Sequence, residues 1–207
     1  MKTYTKQKLT FEQFLEQCLE SGLYELVDGE IVEVRVTRNH DDVADFTADS
    51  FKDEIKRLNL NYVVKNPAVF KTITANGIEQ GRKPDVSVID KDKWRSNRSA
   101  YAALEEPIQL AVEVTSTNWE DDYIDKLDEY QRLGITEYWI VDYLAIGLRE
   151  YLGNPKVPAV FIFLPAVFIF LLDAEGKYQC THFRGSERIV SRTFPELTLT
   201  AEQILTA

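Results

Sequence analysis

The sequence predicts an α/β protein, α+β in its ordering, with a mixed central β-sheet flanked by helices and preceded by an N-terminal helix and a β-hairpin. Three observations carry this. Short β-branched, apolar runs alternate with longer segments of helical periodicity, and Asp-Gly and Asn-Gly pairs punctuate the early runs. The order helix, antiparallel strands, strand, helix, strand implies a mixed sheet with helices packed on it. A chain of 207 residues, 44% hydrophobic and 12% aromatic, can bury a sizeable core without disulfides or metal, consistent with one domain over residues 1–207.

The elements follow in order. Thr10 and Gln13 form a capping box, and Phe11, Phe14, Leu15, Cys18 and Leu19 make a helix stripe closed by Gly22. Runs 24–27 and 31–36 flank Asp28-Gly29, a hairpin signal. Residues 40–58 repeat the helical pattern through Val43, Phe46, Phe51, Ile55 and Leu58. Strands are expected at 62–65, 68–74, 84–89, 108–115 and 137–142. Between the last two, Trp119 to Leu133 reads as a helix ending at Gly134. At about 100° per residue, Trp119, Tyr123, Lys126, Leu127, Tyr130 and Leu133 share one stripe, with Asp121, Asp125, Asp128 and Arg132 opposite.

Two carboxylates stand where strands should be buried. Asp85 borders the run Val86-Ser87-Val88-Ile89, and Glu113 interrupts Leu110-Ala111-Val112-Glu113-Val114. An ionised carboxylate there is costly unless it is paired or holds a cation. Lys126 faces inward among aromatics, and the natural anionic partner is Glu113. Two carboxylates and a lysine in this order suggest a Mg²⁺-dependent phosphodiesterase site. Bland readings stand beside it: Asp85 can begin a strand, and Lys126 can snorkel past Tyr130 to water. Because burying a lysine is costly, Lys126→Met is expected to be at least as stable as the parent.

The segments 24–30, Lys83-Pro84-Asp85-Val86, Glu113-Val114-Thr115-Ser116, Asp122 to Lys126, Tyr130 and 134–142 together resemble the Uma-type family of restriction endonuclease-like proteins, within the PD-(D/E)xK nuclease superfamily. The resemblance runs from about Leu9 to Ile204. It implies a restriction-endonuclease-like core and a metal-dependent endonuclease acting on DNA. Mg²⁺ (or Mn²⁺) would be held by Asp85, Glu113 and the Val114 carbonyl, with Lys126 as the catalytic lysine. The superfamily usually carries its lysine two residues after the glutamate, where this chain has Thr115; the family's own variant moves it to the next helix, and Lys126 matches that. Thr117 stands where many members have proline. Glu25, Ser116 and Asp122 match accessory positions, although solvation of Glu25 and capping by Ser116 and Asp122 explain them as simply.

The net charge of −10 opposes polyanion binding. Against it, Arg82, Lys83, Lys91, Lys93, Arg95 and Arg98 cluster in sequence around Asp85, which makes Arg82, Lys83, Lys93 and Arg95 candidate nucleic-acid contacts; an ordinary solvated loop is the plainer reading. The competing class is a non-catalytic protein-binding or regulatory module on the nuclease fold. The two cysteines, Cys18 and Cys180, read as reduced core residues of a cytoplasmic protein, with a disulfide between them open. The opening 1–10 is polar and lysine-rich, without a signal-peptide pattern.

Pro158 to Leu164 recurs without change as Pro165 to Leu171. The apolar run 157–172 is too short and proline-broken to cross a membrane. An insertion of odd length flips every side chain, so only one copy can serve a strand register; the other is expected to form an exposed extension or a homodimer contact.

Overall fold

The computed structural model describes residues 8–17, 23–66, 68–96, 103–116, 118–146 and 164–207. Its elements are helix α1 (Phe11–Gln17), strands β1 (Tyr24–Val27) and β2 (Glu30–Glu33), helix α2 (Arg38–Leu58), strands β3 (Tyr62–Lys65), β4 (Val69–Ile73), β5 (Glu79–Arg82) and β6 (Val86–Asp90), and helix α3 (Lys91–Arg95). Strands β7 (Ala103–Leu104) and β8 (Leu110–Val114), a π-helical turn (Asp121–Asp125) and helix α4 (Lys126–Leu133) follow. Strands β9 (Glu137–Asp142), β10 (Ala166–Leu172) and β11 (Tyr178–Phe183) and helix α5 (Ala201–Leu205) end the chain.

Two mixed sheets form instead of one. The larger runs β11-β10-β9-β8-β6-β3, with β8 and β9 parallel across the connection through α4 and every other pair antiparallel. The smaller runs β2-β1-β5-β4-β7 and takes in the hairpin. Strands β5 and β7 were not expected from sequence: Glu79-Gln80-Gly81-Arg82 has no apolar alternation. It is held as a strand by pairing with β4 on one side and β1 on the other.

Strand alternation gives the larger sheet two apolar faces. Val86, Val88, Leu110, Val112, Val114, Trp139 and Val141 pack under α2 through Val43, Ala44, Ala48 and Phe51, and under Ala201 and Ile204 of α5. Ile89, Ala111, Tyr138, Ile140, Phe168 and Phe170 pack under Tyr123 and Tyr130. Phe11 and Phe14 of α1 close with Leu26 over the smaller sheet.

Local signals explain most boundaries. The Thr10–Gln13 capping box forms, with Gln13 N–H to Thr10 Oγ1 at 3.3 Å and Thr10 N–H to Gln13 Oε1 at 3.0 Å. Asp28 and Gly29 both take positive φ, 50° and 79°, the mirror-image turn that matches strand twist. Gly134 ends α4 in the left-handed region at φ 89°. The second repeat copy forms β10, in register between β9 and β11, while the first lies outside the described residues apart from exposed Leu164. Cys180 corrects an expectation: it is exposed on β11, an edge strand whose residues from Gln179 to His182 are all exposed. Cys18 lies outside the described residues. No helix among the described residues is long and apolar enough to cross a membrane.

Candidate active site

The chain passes from the smaller sheet to the larger between Arg82, the last residue of β5, and Val86, the first of β6. Asp85 sits at this crossing. The antiparallel register of β6 and β8 pairs Val86 with Val112, so one step outward sets Asp85 opposite Glu113, and opposite residues project to the same face. That face is the one α4 covers, and Lys126, first residue of α4, points into it.

Lys126 Nζ lies 2.9 Å from Glu113 Oε2, 3.2 Å from Asp122 Oδ1 and 3.8 Å from Glu25 Oε1. The other Glu113 oxygen accepts a 2.6 Å hydrogen bond from the Tyr130 hydroxyl. Asp85 Oδ2 accepts from the Val114 main-chain N–H at 2.7 Å and meets His40 Nε2 at 3.2 Å. Glu25, on the hairpin strand β1, accepts from the Lys83 main-chain N–H at 2.9 Å and approaches Arg82 Nη1 at 3.5 Å. Glu25, Asp85, Glu113, Ser116, Asp122 and Lys126 thus line one cavity of about 130 Å³, with His40, Lys83, Val114 and Arg35 also on its wall.

The electrostatics follow from crowding in a dry place. Burial pushes the Glu113 carboxyl well above its ordinary value; Lys126 opposes this, and Asp85, Asp122 and Glu25 reinforce it. Burial also pushes Asp122 up, to about 6, against the pull of Lys126. For Lys126 burial works the other way, yet Glu113, Glu25 and Asp122 outweigh it and hold the ammonium above its usual range. His40 is likewise raised: burial lowers it, and the bond to Asp85 more than offsets that.

Among the described residues, no three acidic, histidine or cysteine side chains are grouped as a ready metal centre. The donor set still suits a hard divalent ion in kind, since carboxylate oxygens predominate and they exceed the cations facing them. In this arrangement Lys126 neutralises the oxygens that an ion would share.

The basic cluster around Asp85 does not form in space. Arg82 is 2% exposed and grips Glu129 through two bonds of 2.8 and 2.7 Å, so it is a clamp between β5 and α4 and not a phosphate contact. Lys93 and Arg95 lie on α3, beyond the five residues of β6, about 17 Å of strand away from Asp85. Lys93 Nζ donates to the Pro107 carbonyl, and Arg98 lies outside the described residues. Of the four candidate contacts, Lys83 alone lines the cavity.

Asp122, expected as an accessory position, and Glu129, which carried no signal in the sequence, flank the apolar stripe of α4 and are buried beside it. The helix also opens with a π turn, in which the Lys126 N–H donates to the Asp121 carbonyl, a feature common at functional sites. Tyr130, read as core, is core and also fixes Glu113. His40, read from the sequence as a packing residue or a minor site contact, meets Asp85 at 3.2 Å. Arg35 carried no signal at all.

Two mixed sheets flanked by helices, with a carboxylate–lysine cluster at their junction, define a restriction-endonuclease-like α/β protein. Residues 11–202 match the family described as Uma2, putative restriction endonuclease, and the chain belongs to that family. A crystal structure of a putative nuclease belonging to DUF820 from Anabaena variabilis shares the fold at TM-score 0.69 and 12% identity, over 96% of this chain and 98% of that one. No curated protein matches the chain.

Proposed function

We propose that this protein is a metal-dependent endonuclease that hydrolyses phosphodiester bonds in DNA, with Asp85, Glu113 and the Val114 carbonyl holding a Mg²⁺ or Mn²⁺ ion and Lys126 as the catalytic lysine. The observation that carries the reading is the buried ammonium of Lys126, drawn from a separate helix to 2.9 Å from Glu113 on the face that Asp85 shares. Stability alone does not call for such a cluster, because a lysine and several carboxylates must be desolvated together and well-packed apolar side chains in place of all of them are often as stable.

A divalent ion bound there supplies Lewis-acid polarisation of a phosphate and a water of lowered pKa. The chain's own groups do the rest. Tyr130 holds Glu113, and His40 with the Val114 N–H holds Asp85, so both carboxylates are oriented before anything binds. With an ion bound by Asp85, Glu113 and the Val114 carbonyl, Lys126 would be the cation placed to offset the negative charge that develops as water attacks phosphorus and the leaving oxygen departs. Glu25 and Asp122 keep Lys126 protonated and within reach of the cavity.

The test is digestion of mixed DNA and RNA substrates with Mn²⁺ or Mg²⁺. The parent should cut DNA, and Asp85→Asn and Glu113→Gln should each lose cleavage together with ion-dependent thermal stabilisation. Cutting by Asp85→Asn at the parent rate would overturn the assignment. Failure of the parent to cut any substrate would favour the non-catalytic reading.

A further inference from the structure

A second pocket lies against the first. It also measures about 130 Å³ and shares Val34, Val36, His40, Lys83 and Asp85 with the carboxylate cavity, so His40 and Asp85 form a partition between the two. Their chemistry differs. Beyond the shared residues, the second pocket is walled by the apolar side chains of Leu23, Ala44 and Pro84, with Asn66 and Asp41 as its added polar groups. The partition is built: His40 is 5% exposed, held by its 3.2 Å contact to Asp85 and by the Val114 main chain.

We propose that this pocket is a base subsite, taking one unpaired pyrimidine of the nucleic-acid strand whose neighbouring phosphate lies at Lys126; it rests on the nuclease reading above. Size selects the ring. A closed cavity of roughly 150 Å³ lined by apolar side chains accommodates benzene, so about 130 Å³ holds a single six-membered ring and leaves the second ring of a purine outside at the open mouth. Polarity selects a base over a plain hydrocarbon, because the Asn66 amide and the Asp41 carboxylate can meet donors and acceptors at a pyrimidine edge. Adjacency selects a nucleotide, since the pocket and the carboxylate cavity share the wall formed by Asp85 and His40. Pairing must be broken, since a base inside a duplex cannot enter a pocket, and the preferred strand is single or locally unstacked.

The experiment measures fluorescence anisotropy of the full chain with short single strands of abasic spacer that carry one central thymine, cytosine, adenine, guanine or no base. Ca²⁺ is present as the oxygen-seeking ion, and cleavage of the same strands in Mn²⁺ is followed separately. Strands with thymine or cytosine should bind about tenfold tighter than the purine or abasic strands, the scale of burying one base. Ala44→Phe, which fills the pocket from α2, should erase the difference; Leu23→Trp at the exposed rim is the second variant should the first not fold. Equal binding of all five strands, or tighter binding of purines, overturns the subsite whether or not the strands are cut. A pyrimidine preference without cleavage supports the subsite and overturns the catalytic reading alone. Absence of any binding overturns both.

Discussion

Lys126→Met tests the electrostatic core of the site most directly. In the structure one ammonium is shared by Glu113, Asp122 and Glu25 at 2.9, 3.2 and 3.8 Å, and all four side chains are nearly buried. Sequence reasoning counted only the cost of burying the lysine and expected methionine to be neutral or better. With three buried carboxylates leaning on that one charge, the balance reverses, because removing one member of a buried pair strands the other at a cost of roughly 3–5 kcal/mol. The upper end is expected here, and ~5 kcal/mol corresponds to a fall in Tm of roughly 10–20 °C for a chain of this length. The raised pKa of Lys126 means that its contribution is complete below the ordinary lysine value and is lost only as pH rises through the higher folded value, so it is fully present near neutrality. Without the lysine, Glu113 and Asp122 can escape only by taking up protons, so the deficit should shrink as pH falls through their raised values. Thermal melts in EDTA, near neutrality and again at about pH 5, give the answer, with Mn²⁺ added as a third arm that should restore part of the loss. A variant as stable as the parent at neutral pH would refute the shared-ammonium account.

Three further outcomes follow from the same geometry. In EDTA the parent should lose stability as pH rises from the ordinary aspartate range to about 6, because a raised carboxyl favours the fold only while protonated; Asp122→Asn should flatten that part of the melting profile, and an unchanged slope would remove Asp122 from the account. Arg82→Lys should cost stability by a few kcal/mol through loss of the two-bonded grip on Glu129, yet leave the salt dependence of nucleic-acid binding unchanged, and a shallower salt slope would return Arg82 to the phosphate contacts. Deleting Pro158 to Leu164 should leave Tm within about 2 °C, since Pro165 to Leu171 already fills the place between β9 and β11; a large loss would show that the first copy has work of its own.

What the sequence made legible was whatever depends on local periodicity. The capping box, the Asp28-Gly29 hairpin, α2, the strand that follows Asp85 and the strand that carries Glu113 are encoded within a few residues of themselves, and so is the inward face of Lys126. The second sheet was not legible, because Glu79 to Arg82 becomes a strand only by pairing with β1 and β4, partners that lie at different distances along the chain. Linear neighbourhood misled most at the basic cluster. Arg82, Lys93 and Arg95 are close in sequence, but a strand intervenes, and its length carries Lys93 and Arg95 to the far end while Arg82 turns inward to Glu129.

That correction sharpens the objection raised by an acidic chain. With Arg82 buried and α3 remote, the cavity wall offers Arg35 and Lys83 as its basic side chains besides Lys126, against Glu25, Glu33, Asp85, Glu113, Asp121 and Asp122. Such a mouth repels a phosphate backbone within the roughly 8 Å over which charge acts at physiological salt. On the proposed reading, affinity then depends on the ion and on contacts that are not phosphate contacts, and a base pocket walled by apolar side chains supplies the second kind. Binding should therefore show a shallow salt dependence for a nucleic-acid enzyme, together with a strong requirement for divalent ion. A steep loss of affinity between low and physiological salt, measured on the full chain with the ion held constant, would mean that a basic surface outside this cavity does the holding.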